Sequence, residues 1–212
     1  RATDTRLGRD VALKVLPAEM AGNPERLGRF QREAKALAAL DHPGIVTVYS
    51  VEEVEGIHFL TMQLVEGAPL DQLIPATGLP IQKLLEIAVA LADALGAAHE
   101  KGIVHRDLKP ANVMVGEGGR VRVLDFGLAK VAGSAGAAGE TPNDSVLPTE
   151  MQTSEGVVMG TMPYMSPEQV EGFEVDARTD LFSLGVMLHE MATGNRPFRG
   201  QSTAALLSAI LR

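Results

Sequence analysis

The chain has 212 residues, of which 45% are hydrophobic and 22% charged, and its formal net charge is −8. This length and composition predict an ordinary globular fold with room for one large domain or two small lobes. The acidic balance argues against nucleic-acid binding, which needs a basic face, and the lack of cysteine excludes disulfides and thiolate metal sites. The most apolar run, IAVALADALGAA, is short and interrupted by Asp93, so no segment here is expected to span a bilayer. The lack of cysteine fits a reducing cytosol, and we expect a cytoplasmic location, with membrane tethering of a longer protein outside this chain as the alternative left open.

The first part of the chain is predicted to be rich in strands. The run VALKVL (11–16) is typical of a strand, and Asn23-Pro24 then marks the start of a helix, with Asn as N-cap and Pro at the first helical position. Apolar residues recur at helical spacing from Leu27 to Leu40. Two further strands, IVTVYSVEE and IHFLTMQLV, are predicted on either side of Glu55-Gly56.

The second part is predicted to be mainly helical. Pro80 and Gly102 bound a long amphipathic helix, and NVMV and VRVLDF are two short strand candidates. The low-complexity stretch VAGSAGAAGETPNDSVLPTEMQTSEG is expected to be mobile. A strongly apolar helix ends at Gly194 and another begins near Ser202. Because the chain starts without Met and stops inside that last helix, we expect it to be a fragment of a longer protein.

Four motifs occur in a fixed order: VALK (11–14), HRDLKPAN (105–112), DFG (125–127) and SPE (166–168). Together they resemble the signature set of the protein kinase family, over nearly the whole chain. The wording HRDLKPAN and GTMPYMSPEQ is similar to that of bacterial serine/threonine kinases. The family's glycine-rich loop would precede Arg1 and its last helices would follow Arg212, so the isolated fragment is expected to be weakly active or inactive.

The resemblance implies an α+β, bilobal fold. Residues 1–65 would form part of a small N-lobe with an antiparallel sheet and one helix. Residues 66–212 would form part of a mainly helical C-lobe, with a catalytic loop at 103–115 and an activation segment at 125–168.

The resemblance also implies a serine/threonine protein kinase that uses ATP with Mg²⁺ or Mn²⁺. Asp107 would accept the proton of the substrate hydroxyl, and Lys109 would neutralise the γ-phosphate. Asn112 and Asp125 would supply the hard oxygen ligands of the metal. For Asp107, the alternative reading is a turn aspartate that caps nearby amides.

Lys14 and Glu33 are expected to form an ion pair. Glu33 follows Phe30 by three residues and precedes Leu37 by four, which places it on or beside the buried stripe of its helix. A carboxylate there needs a cation, and the resemblance implies Lys14, held against the α- and β-phosphates. The alternatives are a solvated helix-face carboxylate and an edge-strand lysine.

Two further sets follow from the resemblance alone. The adenine pocket would comprise Ala12, Val46, Met62, Gln63, Val65 and Met114. A structural spine would comprise Leu37, Val48, His105 and Phe126, with Asp180 holding the catalytic-loop backbone. On this reading His105 is structural and is not a general base, whereas the alternative for Asp180 is a helix N-cap.

Regulation is expected at the activation segment. Arg106 would bind a phosphorylated residue there, and of Thr149, Thr153 and Ser154 we favour Thr153, eight residues before Thr161. Thr161 would bond Asp107 and Lys109. The alternative reading of the loop hydroxyls is that they keep a flexible loop soluble.

The expected partners are proteins with Ser or Thr acceptors, together with a second copy of the chain for autophosphorylation. One alternative function is a nucleotide-binding pseudokinase or scaffold, although such proteins usually lack one of Lys14, Glu33, Asp107, Asn112 and Asp125. Another is a kinase of small molecules, which generally lacks Lys109 and the GTMPYMSPEQ segment.

Overall fold

The computed structural model of the protein describes residues 1–17, 21–126 and 161–212. The candidates Thr149, Thr153 and Ser154 and the low-complexity stretch lie outside the described residues. No helix in the described ranges is both long enough and apolar enough to cross a membrane.

The N-terminal part is built on an antiparallel sheet of four strands in the order β1-β2-β4-β3. The strands are β1 (Ala2–Asp4), β2 (Arg9–Val15), β3 (Val48–Val54) and β4 (Ile57–Gln63). Helix α1 (Pro24–Ala38) contacts β3 and buries Phe30, Ala34 and Leu37. As predicted, Asn23 caps α1, because its side chain accepts hydrogen bonds from the N–H groups of residues 25 and 26.

The C-terminal part is mainly helical. It contains α2 (Ile81–Glu100), α3 (Pro167–Glu171), α4 (Ala177–Thr193) and α5 (Thr203–Ile210). A small sheet of β5 (Ala68–Pro69), β6 (Val113–Val115) and β7 (Val121–Val123) lies beside these helices. An antiparallel-sheet part followed by a mainly helical part confirms the predicted α+β class.

The capping of α4 shows whether Asp180 is a helix N-cap, the alternative that the sequence left open. The N-cap is Asp176, whose side chain accepts from the N–H of Arg178, and Gly194 ends the helix in the left-handed conformation. Asp180 is therefore one turn inside the helix and completely buried. Its carboxylate is not the cap, so its burial requires other partners.

Candidate active site

The backbone at the start of the catalytic loop is held by the buried carboxylate of Asp180. The N–H of His105 donates to Oδ2 at 2.7 Å and the N–H of Arg106 donates to Oδ1 at 2.9 Å. Arg106 has a positive φ of 62°, which is unfavourable for a residue with a side chain. The two bonds to Asp180 stabilise this conformation, and with it the turn that leads to Asp107.

His99, on α2, was missed by the sequence reading. Its Nε2 lies 2.7 Å from Oδ2 of Asp180, so the carboxylate has a third partner in addition to the loop backbone. The signal that was available is its position four residues after Leu95, which places it beside the buried stripe of α2. The partner is 81 residues away in sequence and could not be read from that pattern.

His105 uses both of its ring nitrogens and is completely buried. Nε2 lies 2.8 Å from the carbonyl oxygen of Leu124, and Nδ1 lies 3.2 Å from the backbone N of Asp107. This pattern assigns the neutral tautomer with the proton on Nε2, because Nδ1 must accept from an N–H. Burial lowers the pKa of His105, although neighbouring carboxylates act in the opposite direction. The geometry therefore supports a structural role.

The candidate catalytic side chains form one connected network. Nζ of Lys109 donates to Oδ2 of Asp107 at 2.9 Å and to Oγ1 of Thr161 at 2.6 Å. Nδ2 of Asn112 donates to the carbonyl oxygen of Asp107 at 2.8 Å and to its Oδ2 at 3.1 Å. The Asp107 carboxylate is thus oriented from two sides, and the segment after residue 160 is tied to the catalytic loop.

The prediction that Lys14 and Glu33 form an ion pair is wrong for this structure. Nζ of Lys14 lies 2.7 Å from Oδ1 of Asp125, and Oε1 of Glu33 lies 3.7 Å from Nη1 of Arg106. Each charge is compensated by a different neighbour, which is why the expected pair does not form. The half-buried Glu33 carboxyl has a raised pKa because burial outweighs the attraction of Arg106 and Arg32.

A cavity of about 460 Å³ lies between α1 and the segment 101–106. Its lining includes Glu33 and Leu37 on one side and Arg106 and Phe126 on the other. Glu33 and Arg106, which pair at 3.7 Å, therefore line the same cavity.

Asp125 and Asn112, the candidate metal ligands, lie on two segments that are joined by a backbone hydrogen bond. The N–H of Leu124 donates to the carbonyl oxygen of Asn112 at 2.8 Å, which ties the two segments together, and Asp125 has a positive φ of 53°. The carboxylate of Asp125 is partly exposed and already binds a cation, Lys14. In the described ranges no group of three or more His, Cys, Asp or Glu side chains could hold an ion. The donor set fits a Mg²⁺-like ion that takes most of its ligands from phosphates and water.

The candidate adenine-pocket residues lie on both sides of the connection between the two sheets. Ala12 on β2 is in register with Met62 on β4, and Met114 is on β6. Gln63 is the last residue of β4, and Val65 lies beyond it, outside the strand ladder. Val46 is buried, and its N–H donates to the carbonyl oxygen of Val123 on β7 at 3.0 Å.

The four side chains of the expected spine are all buried. Leu37, Val48 and Phe126 belong to one hydrophobic cluster, and His105 is a buried polar residue beside it. The rings of His105 and Phe126 lie 4.7 Å apart between centroids. The catalytic loop is therefore packed directly against the residue that follows Asp125.

Gln169 is a second residue that the sequence reading missed. Its Nε2 donates to the carbonyl oxygen of Arg106 at 2.7 Å, and its Oε1 accepts from the N–H of Ser166 in a capping box. The motif S-P-E-Q before a helix predicts the capping box. The bond to Arg106 spans 63 residues and is a tertiary feature.

The known proteins named below, which are similar to this chain, all belong to one kind of enzyme. A family profile described as "Protein kinase domain" matches residues 1–212. Serine/threonine-protein kinase PknB of Mycolicibacterium smegmatis is 42% identical over 211 residues, and PknB of Mycobacterium tuberculosis is 40% identical over 210. A probable serine/threonine-protein kinase of Streptomyces coelicolor is 41% identical over 210 residues.

These matches cover 97% of this chain but only 29–32% of the relatives, so the chain spans less than a third of their length. Among solved structures, a mutant form of the kinase domain of Mycobacterium tuberculosis PknI has a TM-score of 0.65 at 31% identity. That match covers 89% of this chain and 66% of the PknI chain.

Proposed function

Because this chain belongs to the protein kinase family, we propose that it transfers the γ-phosphoryl group of ATP to Ser and Thr hydroxyls of proteins. The observation that carries the proposal is the network joining Asp107, Lys109, Asn112 and Thr161. A hydroxyl placed at Asp107 would meet a carboxylate oriented by two donors and a lysine fixed beside it. The relatives named above carry the same activity in their names.

In the proposed reaction the side chains position groups and compensate charge. Asp107 accepts the proton of the acceptor hydroxyl and orients its oxygen in line with the phosphorus. Lys109 stands against the γ-phosphate and offsets the negative charge that spreads over its oxygens. Asn112 and Thr161 keep Asp107 and Lys109 in place, since each donates to or accepts from one of them.

We propose that residues 1–65 form part of the N-lobe and residues 66–212 part of the C-lobe. Both lobes contribute residues to the proposed nucleotide site. Ala12, Val46, Met62 and Met114 would enclose the adenine, and the backbone of Gln63 and Val65 would read its edge. Lys14 would hold the α- and β-phosphates. Asn112 and Asp125 would hold the divalent ion, which neutralises phosphate charge, and we propose Mg²⁺ in preference to Mn²⁺ because an all-oxygen donor set suits it.

Regulation is proposed to act through Arg106. A phosphate on Thr153 would give this guanidinium a dianionic partner in place of Glu33, which lies at 3.7 Å and is a weaker competitor. Glu33 would then be available to Lys14, and Asp125 to the metal. We further propose that two copies associate for this autophosphorylation, and that the reaction takes place in the cytoplasm.

Asp107→Asn in the full-length protein tests the proposed chemistry. Phosphoryl transfer from labelled ATP to a Ser/Thr protein should fall by about 10²- to 10⁴-fold, because the general base is lost. Asp41→Asn, which changes an exposed aspartate in the segment between α1 and β3, is the matched control and should keep wild-type turnover. Undiminished transfer by Asp107→Asn would show that the assignment of the base is wrong.

Thr153→Ala tests the regulatory part separately. After incubation with ATP, this variant should turn over a protein substrate about tenfold more slowly than wild type, because Arg106 keeps Glu33 as its partner. Thr149→Ala and Ser154→Ala are the matched controls and should behave like wild type. Equal activity and an unchanged phosphopeptide map for Thr153→Ala would exclude this residue as the regulatory site.

One observation favours a second candidate, a nucleotide-binding protein without transfer activity. The Lys14–Asp125 and Glu33–Arg106 pairs leave Lys14 and Glu33 apart. If the full-length wild type bound ATP but transferred no label to itself or to any protein, this alternative would replace the kinase proposal.

A further inference from the structure

A cluster of three polar side chains in the C-terminal part has no role in the proposed transfer. The hydroxyl of Tyr164 donates to Oε2 of Glu190, and Nε of Arg196 donates to Oε1 of the same carboxylate at 3.3 Å. The guanidinium carbon of Arg196 lies 5.4 Å from the centroid of the Tyr164 ring. Both oxygens of Glu190 are therefore in use, and Arg196 is held in a defined place.

One short turn connects the cluster to Thr161, which contacts Lys109 beside the proposed acceptor position. Tyr164 ends the 3₁₀ turn Met162–Tyr164, and Thr161, which caps that turn, contacts Lys109. Three residues of a 3₁₀ helix advance by about 6 Å, and Ser183 fixes the far end by donating to the carbonyl oxygen of Tyr164 at 2.8 Å. An extended peptide advances by about 3.3 Å per residue. Substrate residues about two to four positions from the acceptor can therefore reach the cluster.

The group that the cluster presents to solvent is a cation. The side chain of Arg196 is 45% exposed, whereas that of Glu190 is 15% exposed. A guanidinium has five N–H donors, and among the described residues Glu190 is the one carboxylate paired with it. The carboxylate lies underneath with both oxygens bonded, so the accessible donors belong to Arg196.

A second arginine strengthens the positive character of this surface. Nε of Arg199 donates to the carbonyl oxygen of Arg196 at 3.2 Å, and Arg199 also bonds the side chain of Asn195. Two arginines against one carboxylate give a local positive charge on a chain whose formal net charge is −8. A negatively charged ligand is the chemical complement of this surface.

We propose that Arg196 is a specificity-determining residue that selects protein substrates with an acidic side chain two to four residues from the acceptor. Its planar fork can bind a carboxylate through two parallel hydrogen bonds. Its pairing with Glu190 also prevents that carboxylate from attracting a basic residue of the substrate. The inference rests on the proposed protein kinase function, because it concerns the same acceptor site.

Matched peptides test the inference in the full-length protein. Each peptide carries one acceptor Thr and Asp, Asn or Lys at a single position two, three or four residues before or after it, and kcat/KM is measured for each. Wild type should prefer Asp to Lys about three- to tenfold at one or more of these positions, as expected for a partly exposed, charge-assisted contact. Arg196→Gln should remove this preference or reverse it, because Glu190 is then uncovered.

Two other variants serve as controls. Arg178→Gln removes an exposed arginine at the start of α4, which is paired with Asp176, and should keep the wild-type ratio. Arg196→Lys keeps the charge and should keep the sign of the preference, so it tests the inference even if Arg196→Gln does not fold.

Two results with the variants would overturn the inference. One is an Asp-to-Lys preference of Arg196→Gln equal to that of wild type, and the other is a reversed preference in Arg196→Lys. It is also overturned if wild type phosphorylates all the peptides equally well. Failure of wild type to phosphorylate any peptide or protein is a different result, which contradicts the proposed function itself.

Discussion

At the scale of a single residue, the acid–base behaviour of His105 follows from its two hydrogen bonds. The neutral ring donates from Nε2 to Leu124 and accepts at Nδ1 from the N–H of Asp107. A second proton would have to sit on Nδ1, where it would face an N–H donor. Protonation therefore breaks the contact that fixes the residue beside the candidate base.

We predict that the protein loses stability as the pH falls below about 6.5, partly through His105. Its pKa is lowered in the folded state, so the unfolded chain takes up the proton first and the free energy of unfolding falls with falling pH. One such proton contributes a slope of up to about 1.4 kcal/mol per pH unit. His105→Phe should have a flatter dependence between pH 6.5 and 5.5 in denaturant titrations. Coinciding slopes for wild type and His105→Phe would contradict the assignment of the titration to His105.

Asp180 shows how much one buried carboxylate can contribute to the site. It accepts from the N–H of His105, the N–H of Arg106 and Nε2 of His99. Asp180→Asn replaces one acceptor oxygen by an NH₂ group, which would face N–H groups that now donate to the carboxylate. We therefore predict that the free energy of unfolding falls by about 3 kcal/mol. His99→Gln, which can still donate to Asp180, should lose much less in the same urea titrations, and equal losses would contradict this account.

At the scale of the element, α1 carries two glutamates in different environments. Glu25 lies in the first turn and pairs with Arg29, as is favourable near a helix N-terminus. Glu33 lies over the cavity with a raised pKa. The folded state disfavours the ionised form of the Glu33 carboxyl. The contribution of Glu33 to the free energy of unfolding therefore falls as the pH rises above 4.5, the ordinary pKa of a glutamate.

We therefore predict opposite effects for two identical substitutions in α1. At pH 7.5, Glu33→Gln should be as stable as wild type or more stable, and the difference should shrink toward pH 4.5. Glu25→Gln should be less stable by about 0.5 kcal/mol, because it loses the favourable helix-terminal charge. Thermal unfolding at both pH values measures this, and a strongly destabilised Glu33→Gln at pH 7.5 would show that the pair with Arg106 outweighs burial.

The elements were predictable from sequence to the extent that their signals are local. Asn23, Gly194 and Ser202 mark helix ends through caps that involve only neighbouring residues. The partner of Lys14 was not predictable, because it depends on where α1 lies relative to the C-terminal part. The roles of His99 and Gln169 depend in the same way on contacts across 81 and 63 residues. Composition and local motif therefore indicate the parts of the site, and tertiary packing decides which charges meet.

At the scale of the whole molecule, the segment between α1 and β3 joins the two parts of the chain. The N–H of Val46 donates to the carbonyl oxygen of Val123, and the N–H of Val123 donates to the carbonyl oxygen of Gly44 at 2.8 Å. His42 adds a side-chain contact, with Nε2 at 3.1 Å from Oδ2 of Asp93 on α2. The first contact is backbone pairing at the edge of the small sheet, and the second is a polar pair in which the Asp93 side chain is 72% exposed and the His42 side chain 16% exposed.

We predict that close packing and backbone pairing, more than the His42–Asp93 pair, hold this joint together. A Cβ atom at Gly44 would lie 3.1 Å from Cβ of Ala94 on α2, so the branched side chain of Gly44→Val must push the segment away from the helix. This overpacking should lower the free energy of unfolding by about 2 kcal/mol. Asp93→Asn should lower it by less than about 1 kcal/mol, because a pair with an exposed carboxylate contributes little. Urea titrations of the two variants decide between the two contacts: if Asp93→Asn proved as costly as Gly44→Val, the polar pair would be the main link between the lobes.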